Sequence, residues 1–209
     1  YKRQNYIRFL PAGWRDDDQI RSCLSLLEET GARVFVERLR WEWIPGAPVP
    51  PGSGRLELRP PRDTEELLGL MESVLDGTLD AYSRDDLTRM TARQSAERQY
   101  ADELARYTSP HDWWQVATLP GDGEPVGFVI PAHNGHHAII AYLGVLPAHR
   151  GNGYIDDILA AGTRLLAAQD APRIRAATDV GNTPMAAAFA RAGYQAFQHR
   201  LDLTWPQGH

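Results

Sequence analysis

Gly151 and Gly153 stand one residue apart, after a β-rich run and before a helical one, with Arg150 opening the turn between them. Glycines at that spacing let successive backbone amides converge at a helix start, where unpaired N–H groups and the helix dipole favour a phosphate. The segment reads Leu143-Gly144-Val145-Leu146-Pro147-Ala148-His149-Arg150-Gly151-Asn152-Gly153-Tyr154, so Arg150 adds a charged donor. Asp156 and Asp157 follow directly, and their charge opposes an anion unless they point aside. The three-glycine dinucleotide fingerprint and the Gly-Lys-Ser/Thr ending of a triphosphate loop are both absent, which ranks nicotinamide and nucleoside triphosphate ligands low.

A second spaced set, Asn182, Ala186, Phe189, Gly193 and Tyr194, lies downstream. Together the two sets resemble the acyl-coenzyme A signature of the GCN5-related N-acetyltransferase (GNAT) superfamily. Val145 and Pro147 match its Val-x-Pro lead, Arg150 opens the Arg/Gln-x-x-Gly-x-Gly/Ala motif and Gly153 fills the first small position; Ile155 departs from the usual Gly or Ala. The resemblance implies acetyl-CoA as donor. It gives the backbone of Leu143, Gly144 and Val145 the pantetheine amides, Arg150, Gly151, Asn152, Gly153, Tyr154 and Ile155 the pyrophosphate, and Asn182 the pantetheine arm. It also implies central strands that splay apart to admit that arm.

The implied reaction moves an acetyl group to a primary amine of a small molecule or peptide by direct attack, without an acyl-enzyme. Such transfer needs a neutral amine, and an alkyl ammonium with a pKa near ~10.4 must first lose a proton. The family commonly places a tyrosine, the usual proton donor to the departing thiolate, where this chain has Phe189, and a phenyl ring has no proton to give. Tyr142, on the coenzyme strand, is the replacement candidate, with a packing role as its competitor. His137, beside His136, and Asp179, three residues before Asn182, are candidate bases; solvated histidines and helix capping are their ordinary roles. Tyr82, Trp113 and Trp114 are candidates to line the acceptor groove, beside the Leu79 to Arg84 segment. Two adjacent tryptophans on a strand face opposite ways, so one of them belongs to the core. Cys23 reads as a helix core residue and no metal site is expected: one cysteine cannot build a thiolate cluster.

These residues require elements to position them. The run from Pro45 to Gly54 alternates proline and glycine and divides residues 1–44, a helix-strand arm, from a body at 55–209. In the arm, one of Asp16, Asp17 and Asp18 caps a helix stopped by Gly31, and Val34 to Trp43 reads as an amphipathic strand with one irregularity. In the body the pattern predicts a strand at 55–59, a helix from about 64, a second helix over 85–107, and strands at 113–119, 126–130 and 138–146, with a Gly121-Asp122-Gly123 hairpin. A helix at 156–168, a strand at 174–178, a helix at 184–192 and a strand at 197–205 complete it. The fold class is α/β (α+β): a mixed, mostly antiparallel twisted sheet flanked by helices.

Gly31, Phe35, Arg38, Leu39 and Trp43 fall on Gly193, Phe197, Arg200, Leu201 and Trp205 at a constant offset of 162. A duplication would make the arm the remnant of an earlier half-domain; similar packing of a helix-strand unit is the other reading. Either way, the final strand leaves an edge that the arm's strand can cover, within the chain or in a neighbouring copy, so monomer and homodimer both stay open.

With 22 Lys and Arg against 27 Asp and Glu the net charge is −5, which disfavours nonspecific nucleic-acid binding and suits a cationic acceptor. No apolar stretch is long enough for a membrane span, and a lone cysteine fits a cytoplasmic protein. Two further readings stay open beside the transferase: a degenerate GNAT-like domain that binds CoA for sensing or scaffolding, and a structural or protein-binding domain without cofactor.

Overall fold

Most helices begin where the sequence offers a polar cap. In the computed structural model, which describes residues 5–121 and 123–205, Asp17 accepts from the amides of Gln19 and Ile20 to open α1 (Asp18–Glu29). Asp63 opens α2 (Thr64–Val74), Asp80 opens α3 (Ala81–Asp86), and Asn182 opens α6 (Thr183–Arg191). Thr91 and Gln94 form a capping box at α4 (Ala92–Asp102). That box explains why the single helix expected over 85–107 is two: the chain turns between Leu87 and Met90 and restarts. The exception is α5 (Tyr154–Ala167), whose N-cap is Gly153 with no capping side chain. Its first N–H groups therefore lack a side-chain partner, as an anion site requires.

The strands are β1 (Asn5–Leu10), β2 (Arg33–Trp43), β3 (Glu57–Arg59), β4 (Gln115–Thr118), β5 (Pro125–His133), β6 (Ala138–Val145), β7 (Ile174–Asp179) and β8 (Gln195–Thr204). They form one twisted sheet in the order β1-β8-β2-β7-β6-β5-β4-β3, in which only β6 and β7 are parallel neighbours. The mixed, mostly antiparallel architecture is as the sequence predicts. β1 has no counterpart in the sequence reading, and Asp122 of the expected hairpin lies outside the described residues. Trp113 and Trp114 are not on a strand: they end a short 3-10 turn before β4, and Trp114 is buried against α2 and α4 residues.

Apolar side chains close both faces of the sheet. Ile158, Leu159, Leu166 and Phe189 pack with Trp41, Trp43, Val129 and Ile174 on the α5–α6 side. Leu67, Met71 and Leu104 pack with Trp114, Phe128 and Ile130 on the α2–α4 side. A smaller cluster joins Leu10, Leu201 and Leu203 beneath α1.

The arm is an integral part of the sheet. β2 lies between β7 and β8 and pairs antiparallel with both, while β1 takes the outer edge of β8. Arg38 faces Arg200, its counterpart at the offset of 162, and Glu37↔Leu201 mirrors Leu39↔His199. The register skips Phe35 on β2 and its counterpart Phe197 on β8. A local twofold axis thus passes between β2 and β8, with β7 and β1 as their outer neighbours. Each of the two strands follows a helix and a left-handed glycine, Gly31 at φ 90° and Gly193 at φ 84°. The 45–54 segment is more than a spacer: the Pro50 carbonyl accepts from Arg164 Nη1 of α5 at 2.7 Å, and Ser53 reaches Asp157.

Candidate active site

The site is built where β6 and β7 part. They pair only at Ala138↔Ile174 and Ile139↔Arg175. Immediately beyond, the β5–β6 register skips Ala141, a bulge that turns β6 away from its parallel neighbour. The β7-facing edge of β6 from Ile140 onward is therefore free of sheet pairing. A groove of about 770 Å³ opens from this fork. Tyr142, Leu143, Gly144, Val145, Ala177 and Thr178 line its centre, Arg150, Gly151, Gly153, Tyr154, Ile155 and Asn182 one end, and Arg38, Asp80, Tyr82, Asp86, Arg98 and Asp102 the other.

At the first end the turn is shaped by backbone. Gly151 and Gly153 have φ of 81° and 74°, a left-handed geometry that disfavours any side chain. A Cβ on Gly151 would meet nothing within 4 Å, so the turn faces open space. Asn152 braces the turn internally, donating from Nδ2 to the His149 carbonyl at 3.1 Å. Arg150 has a different task from the charged donor expected: it donates to the carbonyls of Val145, Asp76 and Val74 at 3.2, 2.6 and 2.9 Å, tying the turn to the end of α2.

Both aspartates are drawn aside. Asp156 pairs with Arg191 at 2.8 Å. Asp157 accepts from the Ser53 amide and hydroxyl, each at 2.9 Å, and from Arg55 at 2.8 Å. Burial would raise the Asp157 carboxyl, but these donors hold it below the ordinary range. Arg55 also donates to the Asn152 carbonyl at 2.9 Å and lies over the Tyr154 ring. Ser53 and Arg55, at the linker's end, are thus supports of this turn that sequence reasoning missed. Ile155 is partly buried and packs into the core beneath the turn. A left-handed glycine pair, an uncapped fourteen-residue helix and neutralised carboxylates together suit a diphosphate.

At the centre, Gly144 lets the end of α2 approach β6, since a Cβ there would lie 2.9 Å from Val74. Tyr142 packs edge-on to Phe128 at 5.1 Å. Burial, and next the charge of Asp80, raise its hydroxyl above the ordinary phenol range, and among the described residues no group hydrogen-bonds it. Asn182 accepts the Met185 amide as the α6 cap and also lines the groove, so capping and a groove contact coexist. Phe189 stacks on Trp41 at 5.8 Å and meets Tyr194 edge-on at 5.2 Å. Its ring is a core residue with one side to the groove.

The second end is polar. Tyr82 lines it, donating its hydroxyl to Asp202 Oδ2 at 2.5 Å; burial and this carboxylate push its pKa up to about 12. Asp80, which sequence reasoning missed, also lines this end. Its Oδ1 accepts the amide and hydroxyl of Ser83 at 2.8 and 2.9 Å, so its second oxygen, 3.7 Å from Arg38, is the one left to the groove. The signal was present: Asp80 is the acidic residue of the Leu79 to Arg84 segment, and the Asp-x-x-Ser spacing marks it as a cap.

The other four candidates are placed elsewhere. Asp179 is buried behind the wall, accepting the Ala81 amide at 2.7 Å and approaching Arg38 Nε to 3.0 Å without hydrogen-bond alignment. Burial, ahead of these partners, raises its carboxyl. His137 sits at the closed end of the β6–β7 pair, 2.9 Å from Arg175, and burial with that guanidinium lowers its pKa. Trp113 and Trp114 belong to the packing around β4.

The sequence model of the acetyltransferase (GNAT) family matches residues 75–194, more than half of the chain. The chain belongs to this family. Among solved structures, a GCN5-related N-acetyltransferase from Sphaerobacter thermophilus is similar with a TM-score of 0.71 at 16% identity, over 99% of this chain and 62% of that one. A glucosamine N-acetyltransferase region of a fungal multi-domain GH3 β-N-acetylglucosaminidase gives 0.63 at 16% identity, over 93% and 24%. A tandem GNAT protein from the clavulanic acid biosynthesis pathway gives 0.55 at 15% identity, over 90% and 59%. This GNAT chain therefore spans less than two thirds of each, and identities this low show a shared fold. No curated protein matches it. Among its described residues no helix is long and apolar enough to cross a membrane.

Proposed function

We propose that the chain is an acetyl-CoA-dependent N-acetyltransferase acting in the cytoplasm on a primary amine of a small molecule or peptide. The observation that carries this reading is the coincidence of three features in one groove: the β6–β7 fork, the glycine turn at the uncapped start of α5, and a polar far end containing Asp80. The residues fit the donor. The turn from Arg150 to Ile155 would hold the diphosphate through backbone amides, the free edge of Leu143 to Val145 the pantetheine amides, and Asn182 the arm beside them. The donor supplies an acetyl group already activated as a thioester.

The chain's own residues manage binding and protons. Asp80 receives the acceptor ammonium and takes its proton, directly or through water, leaving a nucleophilic amine. That nitrogen forms the new C–N bond with the acetyl carbon as the C–S bond breaks and the sulfur leaves with the electron pair. Tyr142, whose hydroxyl stays protonated, gives that sulfur a proton. The nitrogen sheds its second proton to solvent as the amide forms, Tyr142 regains one from solvent and Asp80 releases its own, so one proton enters the solvent per turnover and charge and atoms balance. With Phe189 in place of a hydroxyl-bearing residue, Tyr142 is the groove-lining phenol at the centre of the fork.

We also infer that β1-α1-β2 is a second copy of the β7-α6-β8 unit. The offset-matched identities, the twofold register about Arg38 and Arg200, and the matching skips at Phe35 and Phe197 support duplication over chance packing. The likeness to a tandem GNAT protein is consistent with it.

The functional test follows free thiol with acetyl-CoA and n-hexylamine, tyramine and Nα-acetyl-lysine methylamide as acceptors. Amine-dependent thiol release supports a transferase. Saturable CoA binding without it supports the degenerate binder, for which Phe189 is the specific argument. Neither binding nor release leaves a structural domain.

A further inference from the structure

Arg38 lines the groove although it lies on β2, outside the 75–194 segment that matches the family. It reaches the groove because β2 is threaded between β7 and β8, with Arg38 directly across from Asp179 on one side and Arg200 on the other. Its Nε is 3.0 Å from Asp179 Oδ1, and its Nη2 is 3.7 Å from Asp80 Oδ2 and 3.5 Å from the Ala177 carbonyl. The loop that carries Asp80 is tied down on both sides of this guanidinium. The Ala81 amide donates to Asp179, and the Tyr82 hydroxyl donates to Asp202, which is fully buried and held by Arg200 at 2.6 and 2.7 Å. Two arginine–aspartate pairs, whose arginines come one from each strand of the local twofold, thus grip Asp80, Ala81 and Tyr82 at the start of α3.

The arrangement sets the charge of the acceptor end. Asp80 and Asp179 are both drawn to one guanidinium, and without it two carboxylates in a partly desolvated wall would repel each other, at a cost well above that in water. With it, Arg38, Asp80 and Asp179 together carry one net negative charge, Asp86 and Asp102 at the same end are paired with Arg98 and Arg106, and Asp80 keeps one oxygen towards the groove. A single negative charge suits a single ammonium. We infer that Arg38, supplied by the N-terminal arm, is a positioning residue for the acceptor, holding Asp80 at the groove wall and tuning that end of the site to a singly charged primary amine. This rests on the transferase reading above. It adds that the arm, which the family segment does not include, completes the acceptor site, while the diphosphate turn lies on other elements and does not depend on Arg38.

The test compares the wild type with Arg38→Gln and Arg38→Lys, using acetyl-CoA with n-hexylamine, tyramine and Nα-acetyl-lysine methylamide, and measuring CoA affinity by calorimetry. Arg38→Gln is expected to raise acceptor KM at least tenfold, with kcat changed less than threefold and CoA affinity unchanged. Arg38→Lys, which restores the charge but not the fork that spans both carboxylates, is expected to fall between. An unchanged acceptor KM in Arg38→Gln, or a Lys variant no better than the Gln variant, overturns the inference. So does a parallel loss of CoA affinity, the mark of a general structural role. Should Arg38→Gln not fold, a wild-type acceptor KM in Arg38→Lys has the same force. If the wild type releases thiol with none of the three amines, the transferase reading has failed and this inference falls with it; if it turns one over and only the Arg38 outcomes fail, the transferase reading stands.

Discussion

Phe189 has no proton to give at the place where the family commonly keeps a tyrosine, and in the proposed reaction Tyr142 takes that part. The hydroxyl of Tyr142 is held above the usual phenol range by burial and then by Asp80, so it stays protonated through neutral and moderately alkaline pH. Tyr142→Phe is expected to lower kcat by about 10²-fold, in the range of general acid catalysis, with CoA affinity unchanged. The raised pKa also fixes the sign of the pH dependence: no loss of the acid form should limit kcat below about pH 10, the ordinary phenol value. A pH–kcat profile with an alkaline limb below that point, absent from Tyr142→Phe, would contradict the assignment. Asp80 and Asp179 show how close neighbours differ in role. Both are acidic and both touch Arg38, but Asp179 is buried behind the wall and Asp80 opens onto the groove.

At the scale of elements, the link between β3 and α2 carries a separate pH signature. Arg59 donates to both oxygens of Glu66 at 2.8 and 2.6 Å, and with help from the Arg62 amide this holds the Glu66 carboxyl at about 2 against an ordinary 4.5. A depressed carboxyl stabilises the fold above its unfolded pKa, and that contribution fades as pH falls from about 4.5 towards 2. Thermal melts should therefore show the wild type ahead of Glu66→Gln at neutral pH, with the gap closing across that window. A gap that persists at pH 2 would contradict the link. The same scale explains what could be read in the sequence. Several helix caps, the glycine turn and the succession of strands along the body are legible because each is written in local residue types. The bulge at Ala141 that opens the fork was not, since a skipped residue depends on the partner strand. The split of the 85–107 helix hung on one capping box, and Trp113 and Trp114 were misplaced because β-prone residues can end a turn as well as begin a strand.

At the scale of the whole molecule, sequence and structure converge on the arm by different routes. Five spaced identities suggested a repeat, and only the register could show that those identities lie about a twofold axis, Arg38 against Arg200. The arm's strand does more than cover an edge. It separates β7 from β8, buries Trp41 and Trp43 in the main core, and delivers Arg38 to the groove. The linker does more than connect, because Ser53, with Arg55 just beyond it, holds Asp157 aside at the glycine turn. In the proposed reading, acceptor and donor ends are thus each completed by residues outside the family-matched segment.

The most direct measurement of the central claim is a calorimetric titration of CoA into the wild-type chain and into folded Gly153→Arg, whose side chain would enter the left-handed turn at φ 74°. One-site saturable binding, weakened at least tenfold in the variant, or about 1.4 kcal/mol, is the predicted result. Absence of saturable binding to the wild type, or equal affinity in the two proteins, would contradict it.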